Sequence, residues 1–127
     1  MKYLLDTQIF ILALENPDQI PLKIRKVLES TSTDLFVSDV SIWEISIKVS
    51  IEKLKFTSEP KKTIERGFDL LGASDLLIQK SHIYRLMKLP FHHKDPFDRL
   101  LASQALEEDL IFLTTDTVFK KYKVRLV

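Results

Sequence analysis

The stretch IFLTTD, residues 111–116, is a short apolar run of three residues that ends in two threonines and an aspartate. The chain opens in a similar way, because Tyr3-Leu4-Leu5 directly precedes Asp6. Buried strands of a parallel sheet are short, continuous apolar runs of this kind, and ligands bind outside the carboxyl ends of such strands. The two runs therefore predict a parallel sheet whose carboxyl edge carries Asp6 and Asp116.

Between these two runs, apolar strands alternate with helical patterns. We predict strands at residues 35–37 and 76–78 and a final edge strand at 124–127. The predicted helices cover residues 9–14, 21–32, 61–71, 81–88 and 95–109, and a short helix follows residue 116. This alternation predicts an α/β fold with a central parallel sheet of four to five short strands and helices on both faces. A length of 127 residues predicts one domain, residues 1–127.

Residues 41–51 fit two patterns. Apolar and polar side chains alternate from Ile45 to Ile51, which is typical of a strand. Ser41 and Glu44 have the spacing of a helix capping box, in which the serine side chain and the glutamate side chain each bond a backbone amide of the first turn. Periodicity leaves strand and helix equally open here.

Composition excludes several classes of function. The chain has no cysteine, which removes disulfides, thiolate metal sites and a cysteine nucleophile. The net charge of +1 does not indicate nucleic-acid binding, so that function would depend on local sites. Asp6 and Gln8 interrupt the opening apolar stretch, so we predict no signal peptide and no membrane partner. We expect a soluble cytoplasmic protein.

Four carboxylates have positions from which they could converge. Asp6 and Asp116 follow strands, Asp98 lies in the first turn of a predicted helix, and Glu44 lies near a helix start if residues 41–51 are helical. Taken singly, each acid could serve only as a helix cap or dipole partner. Together they would repel one another, and a hard, oxygen-seeking cation such as Mg²⁺ would relieve that repulsion. Such an ion can activate water for phosphodiester displacement.

These segments together resemble the VapC family of PIN-domain ribonuclease toxins. The opening strand and Asp6 resemble the first motif of the family, and Ser41-Ile42-Trp43-Glu44-Ile45 resembles its helical S-x-W-E segment. Residues 93–101, HKDPFDRLL, are very similar to its most specific block, and Thr114-Thr115-Asp116 resembles its T-x-D motif. The order and spacing of all four matches agree with the family.

The resemblance implies a fold, an activity and a set of roles. It implies that residues 41–51 are helical and that the chain is a metal-dependent endoribonuclease acting as the toxin of a type II toxin–antitoxin pair. The implied ligands of Mg²⁺ or Mn²⁺ are Asp6, Glu44, Asp98 and Asp116. It also implies an RNA substrate, a homodimer, and a cognate antitoxin whose tail enters the acidic crevice.

Three further residues are assigned supporting roles. Thr114 is expected to orient the site through its hydroxyl. The family pattern has one aspartate at the start of the long helix; we assign Asp98 as the ligand and Asp95 as the helix cap, since Asp95 directly precedes Pro96. Arg99 is expected to contact a phosphate or hold an acid in place, with a surface salt bridge as the equal alternative.

Other functions remain possible from the residues alone. His92-His93 suggests zinc, but adjacent histidines rarely face one ion and a carboxylate cluster prefers harder cations. An aspartyl phosphatase would need a second aspartate two positions after Asp6, where the chain has Gln8. A receiver domain would need an early acidic pair and a late lysine on the same edge. A PIN nuclease of RNA processing and a non-enzymatic α/β module that binds a partner in the acidic crevice are the remaining alternatives.

Overall fold

A four-stranded parallel sheet forms the centre of the computed structural model, which describes residues 1–127. The strands are β1 (Lys2–Leu5), β2 (Asp34–Ser38), β3 (Ser74–Leu76) and β4 (Ile111–Leu113). Their order is β3-β2-β1-β4, and every neighbouring pair is parallel. The predicted α/β fold with a parallel sheet is confirmed.

Six α-helices connect and flank the strands. They are α1 (Thr7–Glu15), α2 (Leu22–Glu29), α3 (Asp39–Ser50), α4 (Pro60–Leu71), α5 (Lys80–Leu86) and α6 (Pro96–Glu107). Two 3₁₀ segments, Pro17–Gln19 and Thr117–Tyr122, complete the regular structure. None of the helices combines the length and the apolar character needed to cross a membrane.

The sheet is covered on both faces, as the sequence predicts. Successive side chains of a strand point to opposite faces, and β1 shows this directly. Tyr3 and Leu5 pack into one core with α1, α2 and α4, whereas Leu4 packs into a second core with α6 and the 3₁₀ segment after β4. Leu4 and Leu5 are both fully buried. The continuous apolar runs are therefore explained by helices on each side.

The register of β1 and β4 sets the position of the acidic edge. Leu5 pairs with Leu113, so the residues that follow, Asp6 and Thr114, lie side by side. The Asp6 backbone N–H donates to the Leu113 carbonyl at 2.9 Å, which extends the pairing by one step. Chain positions more than a hundred residues apart thus meet at the carboxyl ends of two adjacent strands.

Residues 39–50 are helical, so the helix interpretation is correct and the strand pattern is not realised. The predicted capping box at Ser41 is wrong. The cap is Ser38, whose side chain accepts from the Val40 N–H, because β2 runs directly into α3 without an intervening loop. The Ser41 hydroxyl instead hydrogen-bonds the Thr7 hydroxyl at 2.8 Å. Glu44 consequently lies in the second turn of α3.

Two strand predictions need correction. The third strand is Ser74–Leu76, two residues earlier than predicted, because α4 ends at Gly72 in a left-handed conformation (φ 62°) and the chain enters the sheet at once. No fifth strand forms at the C-terminus. Leu126 makes only an isolated bridge to Phe112, supported by a 2.7 Å hydrogen bond from the Phe112 N–H to the Arg125 carbonyl.

Candidate functional site

The edge of β1 and β4 holds two of the predicted acids. The Thr114 hydroxyl donates to Asp6 Oδ2 at 2.6 Å and accepts from the Asp116 N–H at 3.0 Å. Asp6 is 8% exposed and makes no side-chain cap to α1. Asp116 caps the following 3₁₀ segment by accepting from the Val118 N–H through Oδ1. Thr114 therefore links the two acids through one hydroxyl group.

Glu44 approaches the same edge from α3. Its side chain is buried, and Oε2 pairs with the Lys48 ammonium one helical turn later at 2.8 Å. The other carboxylate oxygen, Oε1, is buried and has no hydrogen-bond partner. A buried carboxylate oxygen without a partner is costly, so this atom indicates a missing positively charged or donor group.

The two candidate aspartates at the start of α6 make different contacts. Asp95 Oδ1 accepts from the Phe97 N–H at 2.8 Å and from the Asp98 N–H at 3.1 Å, which makes Asp95 the cap of the helix. Asp98 makes no cap, and its Oδ2 instead lies 3.0 Å from His93 Nε2. The geometry thus matches the assignment of Asp95 to capping and leaves Asp98 available to the site.

His93 joins the site although no role was predicted for it. Its Nε2 hydrogen-bonds Asp116 Oδ2 at 3.2 Å and contacts Asp98 Oδ2. One potential ligand atom from each of these three side chains lies within 4.8 Å of the other two. His92 points elsewhere, with its ring against Tyr122. The only sequence signal for His93 is its place as the first residue of the HKDPFDRLL block.

Two acids of the site, Asp6 and Asp98, have raised pKa values. Burial raises the pKa of Asp6 to about 6, with Glu44 and Asp116 adding repulsion and the Thr114 hydrogen bond opposing the change. Burial also raises the pKa of Asp98 to about 7, with Asp6, Asp95 and Glu44 adding repulsion. These mutual effects show that the carboxylates act on one another.

Arg99 does not contact these acids. Its guanidinium donates to the backbone carbonyls of Leu86, Leu89 and Pro90 at 2.8–3.3 Å, and the Phe91 ring stacks on it at 3.8 Å. The residue is buried and forms no ion pair. The expected contact with an acid, and the alternative of a surface salt bridge, are both absent, because Arg99 organises the loop between α5 and α6.

The donor set fits a divalent cation. The carboxylate oxygens at this edge are the ligands that hard ions such as Mg²⁺ and Mn²⁺ prefer. Glu44 Oε1 is buried without a partner, and Asp6 and Asp98 both have pKa values raised mainly by burial, with added repulsion from neighbouring acids. The acids are not all equally close, however: Asp98 and Asp116, with His93, have ligand atoms within 4.8 Å of one another, and Asp6 and Glu44 lie outside that group.

The family model described as PIN domain matches residues 3–124. The chain belongs to the PIN-domain family. PIN domains are generally nucleases, and a carboxylate cluster at the sheet edge agrees with that class of activity. Comparison with curated proteins gave no match.

Solved structures show the same PIN fold at low sequence identity. VapBC2 from Rickettsia felis, bound to a DNA fragment from its promoter, superposes with a TM-score of 0.70 at 18% identity, covering 100% of this chain and 98% of that chain. DNA-bound VapBC from Salmonella typhimurium superposes with a TM-score of 0.73 at 18% identity, covering 100% of this chain and 97% of that chain. FitAcB from Neisseria gonorrhoeae superposes with a TM-score of 0.63 at 19% identity, covering 98% of this chain and 95% of that chain.

Proposed function

We propose that this PIN domain is a metal-dependent endoribonuclease and the toxin of a type II toxin–antitoxin pair. The observation that carries the proposal is the buried, unpartnered Oε1 of Glu44, in a site where Asp6 and Asp98 both have raised pKa values. Acids with raised pKa values beside a buried, unpartnered carboxylate oxygen are a poor arrangement for stability alone. It suits a nuclease that binds a divalent cation.

The proposed ligands are Asp6, Glu44, Asp98 and Asp116. A bound Mg²⁺ or Mn²⁺ would neutralise these acids, activate a water molecule and stabilise the charge of a phosphodiester displacement. Thr114 orients Asp6 for this task through its 2.6 Å hydrogen bond. One of the carboxylates at this edge would accept the proton of the attacking water.

An RNA substrate is proposed from the VapC resemblance and from the lysines of a separate cleft. Lys88, Lys121 and Lys123 line a cleft of about 670 Å³ that also includes Tyr122. Tyr122 Oη accepts the backbone N–H of His93 at 2.7 Å, so the cleft adjoins the segment that carries the site histidine. None of the three lysines has an ion-pair partner within the chain, which suits contacts with phosphates.

The proposed protein partners are an antitoxin and a second copy of this chain. The structural neighbours are toxin–antitoxin complexes of the VapBC and FitAB kind, which supports a short antitoxin whose tail enters the acidic crevice. A basic side chain there would pair with the carboxylates and compete with the metal. Trp43 and Ile47 of α3 and Ile51, the residue after its end, are exposed apolar side chains spaced four residues apart, which supports the homodimer.

The decisive experiment is incubation of purified protein with total RNA and Mn²⁺, with and without EDTA, followed by mapping of the cut ends. We expect discrete cuts that EDTA abolishes. Cleavage insensitive to EDTA would contradict metal dependence, and the absence of cleavage with bound Mn²⁺ would favour the non-enzymatic binding module. Expression of the chain alone should slow growth, and co-expression of the adjacent reading frame should restore it. An active nuclease without toxicity would instead favour RNA processing.

A further inference from the structure

One nitrogen of His93 meets two carboxylates of the proposed metal site. Nε2 hydrogen-bonds Asp116 Oδ2 at 3.2 Å and lies 3.0 Å from Asp98 Oδ2. Two interpretations fit these distances. Nε2 is either a ligand that joins the acids around a cation or a hydrogen-bond donor to the acids themselves. The two are exclusive, because a ring nitrogen that carries a proton has no lone pair for a metal.

The other ring nitrogen decides between them. The Asp95 backbone N–H donates to His93 Nδ1 at 3.1 Å. Accepting that bond uses the Nδ1 lone pair, so the single proton of a neutral imidazole must lie on Nε2. Nε2 is then a donor that faces Asp98 and Asp116. Coordination through Nε2 would move the proton to Nδ1, where it would meet the Asp95 N–H.

The surrounding contacts hold the ring in this orientation. Tyr122 Oη accepts the backbone N–H groups of His92 and His93, at 3.1 and 2.7 Å. The His93 ring packs against Phe119, with 6.0 Å between centroids. Asp95, whose N–H fixes Nδ1, is itself held as the cap of α6. The proton position on His93 is therefore tied to the start of the helix that carries Asp98.

We infer that His93 is a positioning residue that holds Asp98 and Asp116 through its Nε2–H group and does not itself ligate a cation. The inference rests on the proposed metal-dependent function. Asp98 and Asp116 come from α6 and from the end of β4, and their negative charges repel. A donor between them keeps both carboxylates in place before a cation arrives. Groups that orient ligands in this way tune metal affinity without touching the metal.

The tautomer can be measured in the metal-free protein. Long-range ¹H–¹⁵N spectra at pH 8, above the ordinary imidazole pKa of about 6.5, distinguish a ring protonated at Nε2 from one protonated at Nδ1. The chain has three histidines, and the signal lost in His93→Asn identifies the residue. We expect protonation at Nε2. Protonation at Nδ1 overturns the inference.

Two substitutions distinguish the contribution of Nε2 from that of Nδ1. Glutamine places its amide nitrogen near the position of Nε2 and keeps the donor to the acids, whereas asparagine places its oxygen near Nδ1 and keeps only the acceptor for the Asp95 N–H. By calorimetric titration with Mn²⁺ alone, we expect His93→Asn to bind roughly 10–100-fold more weakly than the parent, and His93→Gln to recover most of the loss. Cleavage at limiting Mn²⁺ should follow the same order and should approach the parent rate at saturating Mn²⁺.

Tighter Mn²⁺ binding by His93→Asn than by His93→Gln would overturn the inference, because it would show that metal affinity depends on the Nδ1 bond to Asp95 and not on the contact with the acids. Electron spin echo spectra of Mn²⁺ bound to protein with ¹⁵N-labelled histidine give an independent readout, since direct ligation produces a nitrogen coupling. A coupling that disappears in His93→Asn would overturn the inference while leaving the metal site intact. Failure of the parent protein to bind Mn²⁺ would instead contradict the proposed function.

Discussion

Thr114 donates its hydroxyl to Asp6 Oδ2 at 2.6 Å, joining residues that are 108 positions apart in the chain. The contact follows from the pairing of Leu5 with Leu113, which sets the two residues side by side at the sheet edge. The same hydroxyl accepts the Asp116 N–H. One small side chain therefore fixes the orientation of two proposed ligands.

The first prediction concerns this hydroxyl. Thr114→Val keeps the shape of the side chain but removes both hydrogen bonds, so Asp6 loses the interaction that lowers its pKa. We expect weaker Mn²⁺ binding and cleavage reduced by about 10–100-fold. Thr114→Ser, which retains the hydroxyl, should keep most of the activity. Equal activity of the valine and serine variants would show that Thr114 does not orient the site.

The second prediction concerns the charge of Asp6. Asp6→Asn keeps an oxygen that can accept from Thr114 but removes a buried negative charge whose pKa is raised to about 6. We expect RNA cleavage to be abolished and the metal-free protein to become more stable at pH 7.5, by roughly 1–3 kcal/mol. The exposed Asp18 offers a matched control, because Asp18→Asn should change neither property. An active Asp6→Asn enzyme would contradict the metal-site proposal.

The third prediction is the pH dependence of stability without metal. The pKa values of Asp6 and Asp98 rise from 3.8 to about 6 and about 7. At pH values between the unfolded and the folded pKa, the two carboxyls of the folded protein are therefore still protonated, whereas those of the unfolded chain have lost their protons. The stability from this source is complete below about pH 4 and is lost as the pH rises toward 7. For Asp6 alone, the pKa difference corresponds to a loss of roughly 3 kcal/mol in the free energy of unfolding.

Thermal melts in EDTA should accordingly show a melting temperature that falls from pH 5 to pH 7.5. Addition of Mn²⁺ should raise the melting temperature at pH 7.5 far more than at pH 5, since protonated carboxyls bind metal poorly. The Asp6→Asn variant should show a shallower fall. A melting temperature that rises over this range in EDTA would mean that these two carboxyls are not the dominant titrating groups.

The fourth prediction tests the loop between α5 and α6. Arg99→Ala removes the side-chain donor to the carbonyls of Leu86, Leu89 and Pro90, in contacts that are buried or partly buried. We expect a loss of roughly 2–4 kcal/mol in the free energy of unfolding, measured by urea titration. Arg99→Lys should restore little, because an ammonium group cannot span the fork of contacts made by a guanidinium. A fully stable alanine variant with no activity would instead indicate a direct role at the substrate phosphate.

The sequence predicts the main features of the fold and the acidic edge because both depend on local patterns. Apolar runs that end in Asp6 and Asp116 identify the strand ends, and the Asp95-Pro96 pair identifies the cap of α6. The helix that carries Glu44 could not be separated from a strand by periodicity, and the cap was misplaced because Ser38 lies inside a strand that continues directly into the helix. When the capping residue is also the last residue of a strand, no turn residues mark the start of the helix in the sequence.

The contacts of Arg99 and His93 could not be read from local pattern. Arg99 bonds carbonyls of a loop whose path depends on tertiary packing, so its charge suggested an ionic partner that the fold does not supply. His93 reaches Asp116 only because the loop after α5 crosses the end of β4, where Tyr122 anchors it. The burial that raises the pKa values of Asp6 and Asp98 likewise depends on the assembled structure.

The last prediction separates the two aspartates at the start of α6. Asp95 accepts two backbone amides, and asparagine caps helices about as well as aspartate. Asp95→Asn should therefore keep its fold and substantial activity. Asp98 makes no cap, and its carboxyl has a pKa raised to about 7 by burial and by the neighbouring acids. Asp98→Asn should lose cleavage while melting at the same or a higher temperature than the parent. Both variants should be compared at saturating Mn²⁺, so that a modest loss of metal affinity is not mistaken for a loss of catalysis. An active Asp98→Asn beside an inactive Asp95→Asn would reverse the assignment, and activity in both would remove the start of α6 from the catalytic site.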